Sequence, residues 1–253
     1  MKRTALVTGA NSGLGFEAAA QLAEAGYGRV ILACRTLEKA EGARQRLVER
    51  VGHDPFETLA IDVADLASSH AAADTLLARD QPIHALLLNA GLVPGETLTT
   101  SKDGHELSFA ASVVGHHVSA WWSAALARRL GDRAAVFTVS PGSNLSTNAA
   151  RHTRGLPRFL FTKVMPAIGS LIGWDQPVSA GARRYLDVLE SRDTFVSGRT
   201  YTSAPGKMVG ALHEVTMLHI TDVERQETAW DVLTTLTGVG FPADSALTPA
   251  SLV

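Results

Sequence analysis

An α/β fold, in which a doubly wound parallel β-sheet lies between two layers of helices, is predicted by three features of the sequence. The first half alternates short β-rich runs with helical patterns, which implies parallel strands joined by helical crossovers. A glycine-rich run at 9–15 separates the first strand from the first helix, and the apolar run at 83–88 has the character of a strand inside a sheet. The length of 253 residues suits one such domain and is too short for two, so we expect a single domain spanning 1–253.

The elements can be placed in chain order from these patterns. Strands are predicted at 4–8, 29–34, 59–61, 83–88, 134–139 and 195–201. Helices are predicted at 14–25, 37–51, 67–78, 104–130, 178–191 and 223–237. The fourth strand, 83–88, is expected to be a central strand that is buried on both faces, and a disordered tail is expected over 240–253.

Composition and charge exclude several classes of protein. A net charge of -2 without a basic cluster gives no surface for nucleic acid. Cys34 is the only cysteine, which rules out an intrachain disulfide and a cysteine-based metal site and favours the reducing cytoplasm. No signal-peptide core follows Met1, and the apolar-leaning stretch 159–174 is too short and broken to span a bilayer. No metal is expected, because His116 and His117 are adjacent and point apart on a helix.

A candidate nucleotide site opens directly after the first strand. Glycines permit a tight turn and close approach of the backbone, and the helix that follows offers unpaired N–H groups and a positive dipole end to a pyrophosphate. The setting in a βαβ unit predicts a Rossmann-like dinucleotide site, the alternative being an ordinary turn. The candidate residues are Gly9, Asn11, Ser12, Gly13, Leu14 and Gly15.

Arg35 indicates which dinucleotide the site would prefer. It lies one residue beyond the second strand, where an NAD-dependent dehydrogenase places an acidic residue for the ribose hydroxyls. A guanidinium at this position suits a 2′-phosphate, so NADP(H) is expected over NAD(H). The alternative interpretation is a solvated loop arginine.

The run from Thr8 to Gly15 resembles the glycine motif of the short-chain dehydrogenase/reductase family, and three further matches follow in register. The branch that the chain resembles contains retinol dehydrogenases and protochlorophyllide reductases. The resemblance implies an adenine-binding pair and an Asn-Ala-Gly motif after the fourth strand. It also implies a Pro-Gly step where the backbone meets the nicotinamide, with a nearby hydroxyl residue that holds the carboxamide. These residues are Asp62 and Val63, then Asn89, Ala90 and Gly91, then Pro141, Gly142 and Thr147, with Ser146 as the alternative to Thr147. Asp62 could instead form a turn or N-cap, and Asn89 could simply close a strand end.

The Tyr-x-x-x-Lys pair that the family uses for proton transfer is absent from the sequence. The chain has three tyrosines, Tyr27, Tyr185 and Tyr201, and none is followed four residues later by lysine. In the family, the lysine lowers the pKa of a tyrosine that would otherwise titrate near pH 10. Alignment with the family pattern places a deletion near Val118 that removes this pair, a strand and half of each flanking helix. We therefore expect a sheet one strand shorter than the family's, and we assign no catalytic residue.

Two functions remain open from the sequence. The resemblance implies an NADP(H)-dependent oxidoreductase that transfers hydride between carbonyl and alcohol groups. The segment 153–176, where the family has its substrate lid, is rich in apolar side chains and indicates an apolar substrate. The alternative is a non-enzymatic NADP(H)-binding protein, such as a redox sensor. Trp121 and Trp122 could form a homodimer interface as the corresponding family helices do, or pack in the core.

Overall fold

The computed structural model describes residues 3–79, 81–92, 97–114, 120–144, 174–191 and 193–240. In the first half, four parallel strands form a sheet in the order β3-β2-β1-β4. These strands are β1 (Thr4–Thr8), β2 (Arg29–Cys34), β3 (Phe56–Ala60) and β4 (Ala85–Leu87). Chain order reverses between β3 and β4, which lie on opposite sides of β1, and this reversal defines a doubly wound sheet.

Helices cover both faces of this sheet, as the sequence predicts. The described helices are α1 (Gly13–Glu24), α2 (Leu37–Val51), α3 (Leu66–Leu77), α4 (Leu107–Phe109), α5 (Ala120–Leu130), α6 (Val178–Glu190), α7 (Leu218–Thr221) and α8 (Val223–Thr237). One core layer joins the sheet to α1, α2 and α6, with Leu22 and Leu186 fully buried in it. The other layer joins Leu6 and Ile31 to Ala72 of α3. The predicted three-layer α/β fold is therefore confirmed.

A second sheet follows in the later half of the described chain. Its strands are β5 (Thr138–Val139), β6 (Thr200–Thr202) and β7 (His213–Glu214), with β5 and β6 parallel and β7 antiparallel. Within the described ranges, no strand of this sheet pairs with β4. An antiparallel edge strand on a mostly parallel arrangement is common in α/β proteins. The two polar residues of β7 gave no strand signal in the sequence.

The prediction that 83–88 is a fully buried central strand is wrong. Ala85 and Leu87 face the α1 layer and are buried, but Leu86 between them is 55% exposed. Among the described strands, β4 pairs with β1 alone, so its other edge has no strand beside it. Leu86 alternates with these two buried residues, so its exposure means that the described residues leave the opposite face of β4 largely uncovered. A sheet one strand shorter than the family's stays a prediction.

The single helix predicted over 104–130 is also wrong at its start. Gly104 has a left-handed φ of 82°, and the carboxylate of Glu106 accepts hydrogen bonds from the N–H groups of Ser108 and Phe109. The helix therefore begins at Leu107 and widens at once into a π-helix, Ala110–Val114. After residues 115–119, which lie outside the described ranges, α5 begins at Ala120.

Several strand bounds differ from the prediction. β3 begins three residues earlier than expected, because it pairs with β2 from Val30–Phe56 onward. The apolar pattern did not predict this start, because Glu57 and Thr58 are polar. β5 keeps only the end of 134–139, and β6 is shifted toward the C-terminus of 195–201. Phe195 instead packs edge-on against the ring of Tyr201.

The helices α5 and α8 pack through a stacked tryptophan pair. Trp122 and Trp230 have nearly parallel rings with centroids 5.6 Å apart, and the Arg129 guanidinium lies 4.1 Å above the Trp230 ring. The indole N–H of Trp121 donates to the carbonyl oxygen of His219 at 2.6 Å. These contacts support packing within the chain for both tryptophans, and a homodimer stays a prediction. Among the helices of the described ranges, none has the length and apolarity to cross a membrane.

Candidate functional site

A cavity of about 510 Å³ opens at the carboxyl ends of the first-sheet strands. This edge is where ligands bind in doubly wound sheets, because the strand order reverses there. The cavity brings together most of the residues that the sequence singles out. These are Gly9, Asn11, Ser12, Gly13, Leu14, Arg35, Asp62, Val63, Asn89, Ala90 and Gly91.

The turn from β1 into α1 leaves N–H groups available at the floor of the cavity. Gly9 and Gly13 have φ values of 68° and 56°, which side chains rarely tolerate, and the Gly9 N–H is anchored to the Ala33 carbonyl at 2.8 Å. Ser12 precedes α1 without forming a side-chain cap, and the first turn carries no acidic residue. The helix tip therefore keeps its unpaired donors and positive dipole end.

Gly15 lies beneath the cavity rather than on its wall. A Cβ atom at this position would be 2.5 Å from the Gly9 carbonyl oxygen and 2.6 Å from the Asn89 amide nitrogen. The absence of a side chain is what lets α1 pack this closely against the ends of β1 and β4. Gly15 thus shapes the turn from below, as its place in the motif predicts.

Two basic residues lie close to the end of β2, Arg35 directly after the strand and Lys39 in the first turn of α2. Arg35 and Lys39 are both exposed, both line the cavity, and neither forms an ion pair with a carboxylate in the described ranges. The sequence interpretation named Arg35 and missed Lys39, although its place in the first turn of α2, four residues after Arg35, could have been noticed. Cys34 beside them stays a neutral thiol, because burial raises its pKa to about 11.

A third basic residue supports the glycine turn from outside the cavity. Arg46 of α2 donates from Nη2 to the carbonyl oxygen of Asn11 at 2.9 Å, and its guanidinium lies 4.8 Å from the centroid of the Phe16 ring. The Asn11 carbonyl is thereby held by α2. The sequence interpretation did not identify this contact, because it joins residues 35 positions apart.

Asp62 both lines the cavity and forms a turn. Its Oδ1 accepts the N–H of Ala64 at 3.1 Å, while the N-cap of α3 is Asp65, whose carboxylate accepts from Ser68 and pairs with Lys102 at 2.5 Å. The turn alternative is therefore correct for the hydrogen bonding of Asp62, and the N-cap alternative is wrong. Asn89 likewise closes a strand end and also faces the cavity.

The Pro141–Gly142 step lies at the carboxyl end of β5 and is not part of the lining of this cavity. Gly142 has a φ of 74°, a left-handed conformation that glycine adopts without strain. Thr147, Ser146, the His116–His117 pair, most of the lid candidate 153–176 and the tail beyond residue 240 lie outside the described ranges.

The side chains available for proton transfer near the cavity are few. Ser112 of the π-helix lines it, and its hydroxyl accepts the Leu92 N–H at 3.2 Å. All three tyrosines are described, and none lines the cavity. Burial raises the pKa of Tyr185 to about 12, and the Tyr201 hydroxyl accepts the Val196 N–H at 2.6 Å. No tyrosine is therefore placed as the proton donor that the family uses.

The doubly wound sheet, the glycine turn and the cavity at the switch in strand order define a Rossmann-fold protein. The model of the family described as short chain dehydrogenase matches residues 3–140. The chain belongs to the short-chain dehydrogenase/reductase family, as the resemblance in the glycine motif predicts.

Individual relatives give the extent of the similarity. Dehydrogenase/reductase SDR family member 13 of Bos taurus is 32% identical over 192 residues, which are 76% of this chain and 46% of that protein. Retinol dehydrogenase 11 of Mus musculus is 37% identical over 114 residues, 45% of this chain and 35% of that protein. The chain thus spans less than half the length of these two curated relatives.

Solved structures share the fold at lower identity. L-Sorbose reductase from Gluconobacter frateurii, complexed with NADPH and L-sorbose, superposes with a TM-score of 0.60 at 17% identity. The match covers 83% of this chain and 98% of that one. At this identity the similarity shows the fold.

Proposed function

We propose that this chain binds NADP(H) in the cavity between the glycine turn and the end of β2. The observation that carries the proposal is that Arg35 and Lys39, which have no ion pair within the described part of the chain, line the same cavity as the uncapped N-terminus of α1. A dinucleotide with a 2′-phosphate offers anionic groups to both places at once. The reductase from Gluconobacter frateurii, which has this fold, is complexed with NADPH, and this supports the proposal.

Each part of the cofactor has a place in this arrangement. The pyrophosphate would lie at the tip of α1 over Gly13, and the 2′-phosphate would lie between Arg35 and Lys39. By resemblance, the adenine would lie near Asp62, and Pro141, Gly142 and Thr147 would contact the nicotinamide end. Asn89 lines the same cavity.

Binding can be tested directly by titration. We expect saturable binding of NADPH to the folded protein, followed by the nucleotide's fluorescence, with displacement by adenosine 2′,5′-bisphosphate and much weaker displacement by 5′-AMP. The difference in affinity between the two competitors measures the contribution of the 2′-phosphate to binding. Folded protein that binds no NADPH would overturn the proposal.

Hydride transfer is the second candidate function, and family membership favours it. NADPH supplies a hydride when bound, and the substrate oxygen then needs a proton from a nearby acid. No tyrosine lines the cavity, and the hydroxyl groups among its lining residues are those of Ser12 and Ser112. An unperturbed serine hydroxyl is a weak acid, so we propose binding with little or no turnover for this chain.

An assay separates the two candidates. NADPH oxidation would be followed with a panel of apolar ketones and aldehydes, since the lid candidate 153–176 is apolar. We expect no oxidation above that of a variant without Arg35. Oxidation that depends on the wild-type cavity would instead assign hydride transfer to the chain.

A further inference from the structure

The loop that follows β5 is held by side-chain donors in addition to backbone hydrogen bonds, such as that from the Ser140 N–H to the Tyr201 carbonyl oxygen at 2.8 Å. Arg184 donates from Nη1 to the Ser140 carbonyl oxygen at 2.9 Å. The Pro141 carbonyl oxygen accepts from Gln176 Nε2 at 2.7 Å and from Asn144 Nδ2 at 2.9 Å. Successive carbonyls of the loop are therefore held by donors that come from outside β5.

Arg184 is the most buried of these donors. It is 4% exposed, and its Nη2 atom donates to the Ser203 hydroxyl at 2.8 Å and to the Gly210 carbonyl oxygen at 2.6 Å. It forms no ion pair with a described carboxylate, whereas its neighbour Arg183 is exposed and pairs with Asp187. Burying a guanidinium against neutral acceptors costs free energy of desolvation. In return, Arg184 connects α6 to the loop at Ser140 and to the segment from Ser203 to Gly210.

Gly142 makes room for this guanidinium. A Cβ atom on Gly142 would be 2.8 Å from Arg184 Nη1 and 2.8 Å from the Met208 carbonyl oxygen. The glycine is therefore needed for its left-handed φ and also for the approach of Arg184. The Pro141–Gly142 loop and the Arg184 side chain are therefore packed directly against each other.

We propose that Arg184 is a positioning residue that holds the Pro141–Gly142 step in place for the nicotinamide end of bound NADP(H). This inference rests on the proposed function, in which that step contributes to the nicotinamide end. Arg35 directly follows β2 of the other sheet, Lys39 lies in the first turn of α2, and neither shares a described hydrogen bond with Arg184. Loss of Arg184 should therefore weaken contacts to one half of the cofactor and spare the other half.

Two ligands distinguish the halves of the site. NADPH uses both ends, whereas adenosine 2′,5′-bisphosphate carries the adenosine half alone. For Arg184→Met we expect the Kd of NADPH to rise by about tenfold, because the Ser140 carbonyl loses the donor that holds the Pro141–Gly142 step in place, while the Kd of the bisphosphate stays within about twofold. Arg184→Lys, which keeps the charge and some of the donors, should fall between wild type and Arg184→Met.

Controls make the outcome unambiguous. Arg183→Met, on the same helix but exposed, should leave both Kd values unchanged. Ser203→Ala removes one acceptor of Arg184 and gives the same selective effect in milder form if Arg184→Met folds poorly. The inference is overturned if the variants weaken both ligands equally or neither. If wild type binds neither ligand, the proposed function itself fails, and this inference fails with it.

Discussion

Thr8 and Asn89 join the carboxyl ends of β1 and β4. The Thr8 hydroxyl oxygen accepts the N–H of Asn89 at 2.9 Å and the N–H of Ala90 at 3.0 Å, and the Asn89 side-chain amide donates to the Thr8 carbonyl oxygen at 3.0 Å. Thr8 is 2% exposed. This reciprocal contact fixes the wall of the cavity against the glycine turn.

Replacing Thr8 by valine keeps the volume and removes the acceptor. We expect the free energy of unfolding to fall by about 1–3 kcal/mol, because two N–H groups lose their partner. Urea unfolding would measure the loss, and Thr8→Ser should restore most of it. Thr58→Val is the matched control, since the Thr58 hydroxyl on β3 forms no hydrogen bond with the described residues. Equal effects at the two threonines would contradict the role of the hydroxyl.

Replacing Gly15 by alanine should damage both stability and binding. The new methyl would meet the Gly9 carbonyl oxygen at 2.5 Å, so α1 would have to move away from the turn, at a cost of about 1–3 kcal/mol. Gly42→Ala is the control, because nothing lies within 4 Å of its Cβ position in α2. That change should stabilise the protein by about 0.5–1 kcal/mol through helix propensity. A Gly15→Ala protein as stable as wild type would show that the close approach is not required.

The sequence predicted the part of the fold that local patterns determine. β1 and β2 are recovered at the predicted bounds because each is a short run with an apolar centre in a buried parallel sheet. The same logic failed for β4, since an apolar run indicates burial but does not say whether both faces of the strand are covered. The π-helix after Phe109 leaves no periodic signal that separates it from an α-helix.

The sequence located the cavity from residues that directly follow strand ends. Gly9, Arg35 and Asn89 line it together because the ends of parallel strands meet at one edge, and their binding of a cofactor stays a prediction. Arg46 and Arg184 were not found, because their contacts join segments that are distant in sequence. Lys39 was missed although it lies only four residues after Arg35. The cytoplasmic location stays a prediction.

The carboxylate of Glu227 should give the protein a specific sensitivity to acid. Arg129 and Arg128 hold the pKa of this carboxyl at about 2, below the ordinary value of 4.5. A lowered folded-state pKa stabilises the protein above pH 4.5, and that contribution disappears as the pH falls toward 2. Solvent screening keeps it modest, because the side chain is 40% exposed.

Glu227→Gln tests this linkage. We expect a lower urea midpoint than wild type at pH 7 and convergence of the two proteins as the pH falls from 4.5 toward 2. Glu49→Gln is the control, since Glu49 is exposed and has no ion pair within the described ranges. A gap between Glu227→Gln and wild type that is independent of pH would refute the assignment.

Lys39 should assist Arg35 as a weaker partner. An exposed ammonium on a flexible stem contributes about 0.2–1 kcal/mol, so Lys39→Ala should raise the Kd of NADPH by up to about fivefold and leave that of NADH unchanged. Lys39→Arg should preserve NADPH binding. If Lys39→Ala weakened the binding of both nucleotides equally, the lysine would not contact the 2′-phosphate.

The most direct test of the account is the ratio of the Kd values of NADH and NADPH, measured for wild type and for Arg35→Asp. We expect wild type to bind NADPH more tightly. Arg35→Asp should lose about 10- to 100-fold in NADPH affinity with little change for NADH, because a charge-assisted contact worth about 1.5–3 kcal/mol is replaced by repulsion. An unchanged ratio would mean that Arg35 does not meet a 2′-phosphate and would contradict the proposed NADP(H) site.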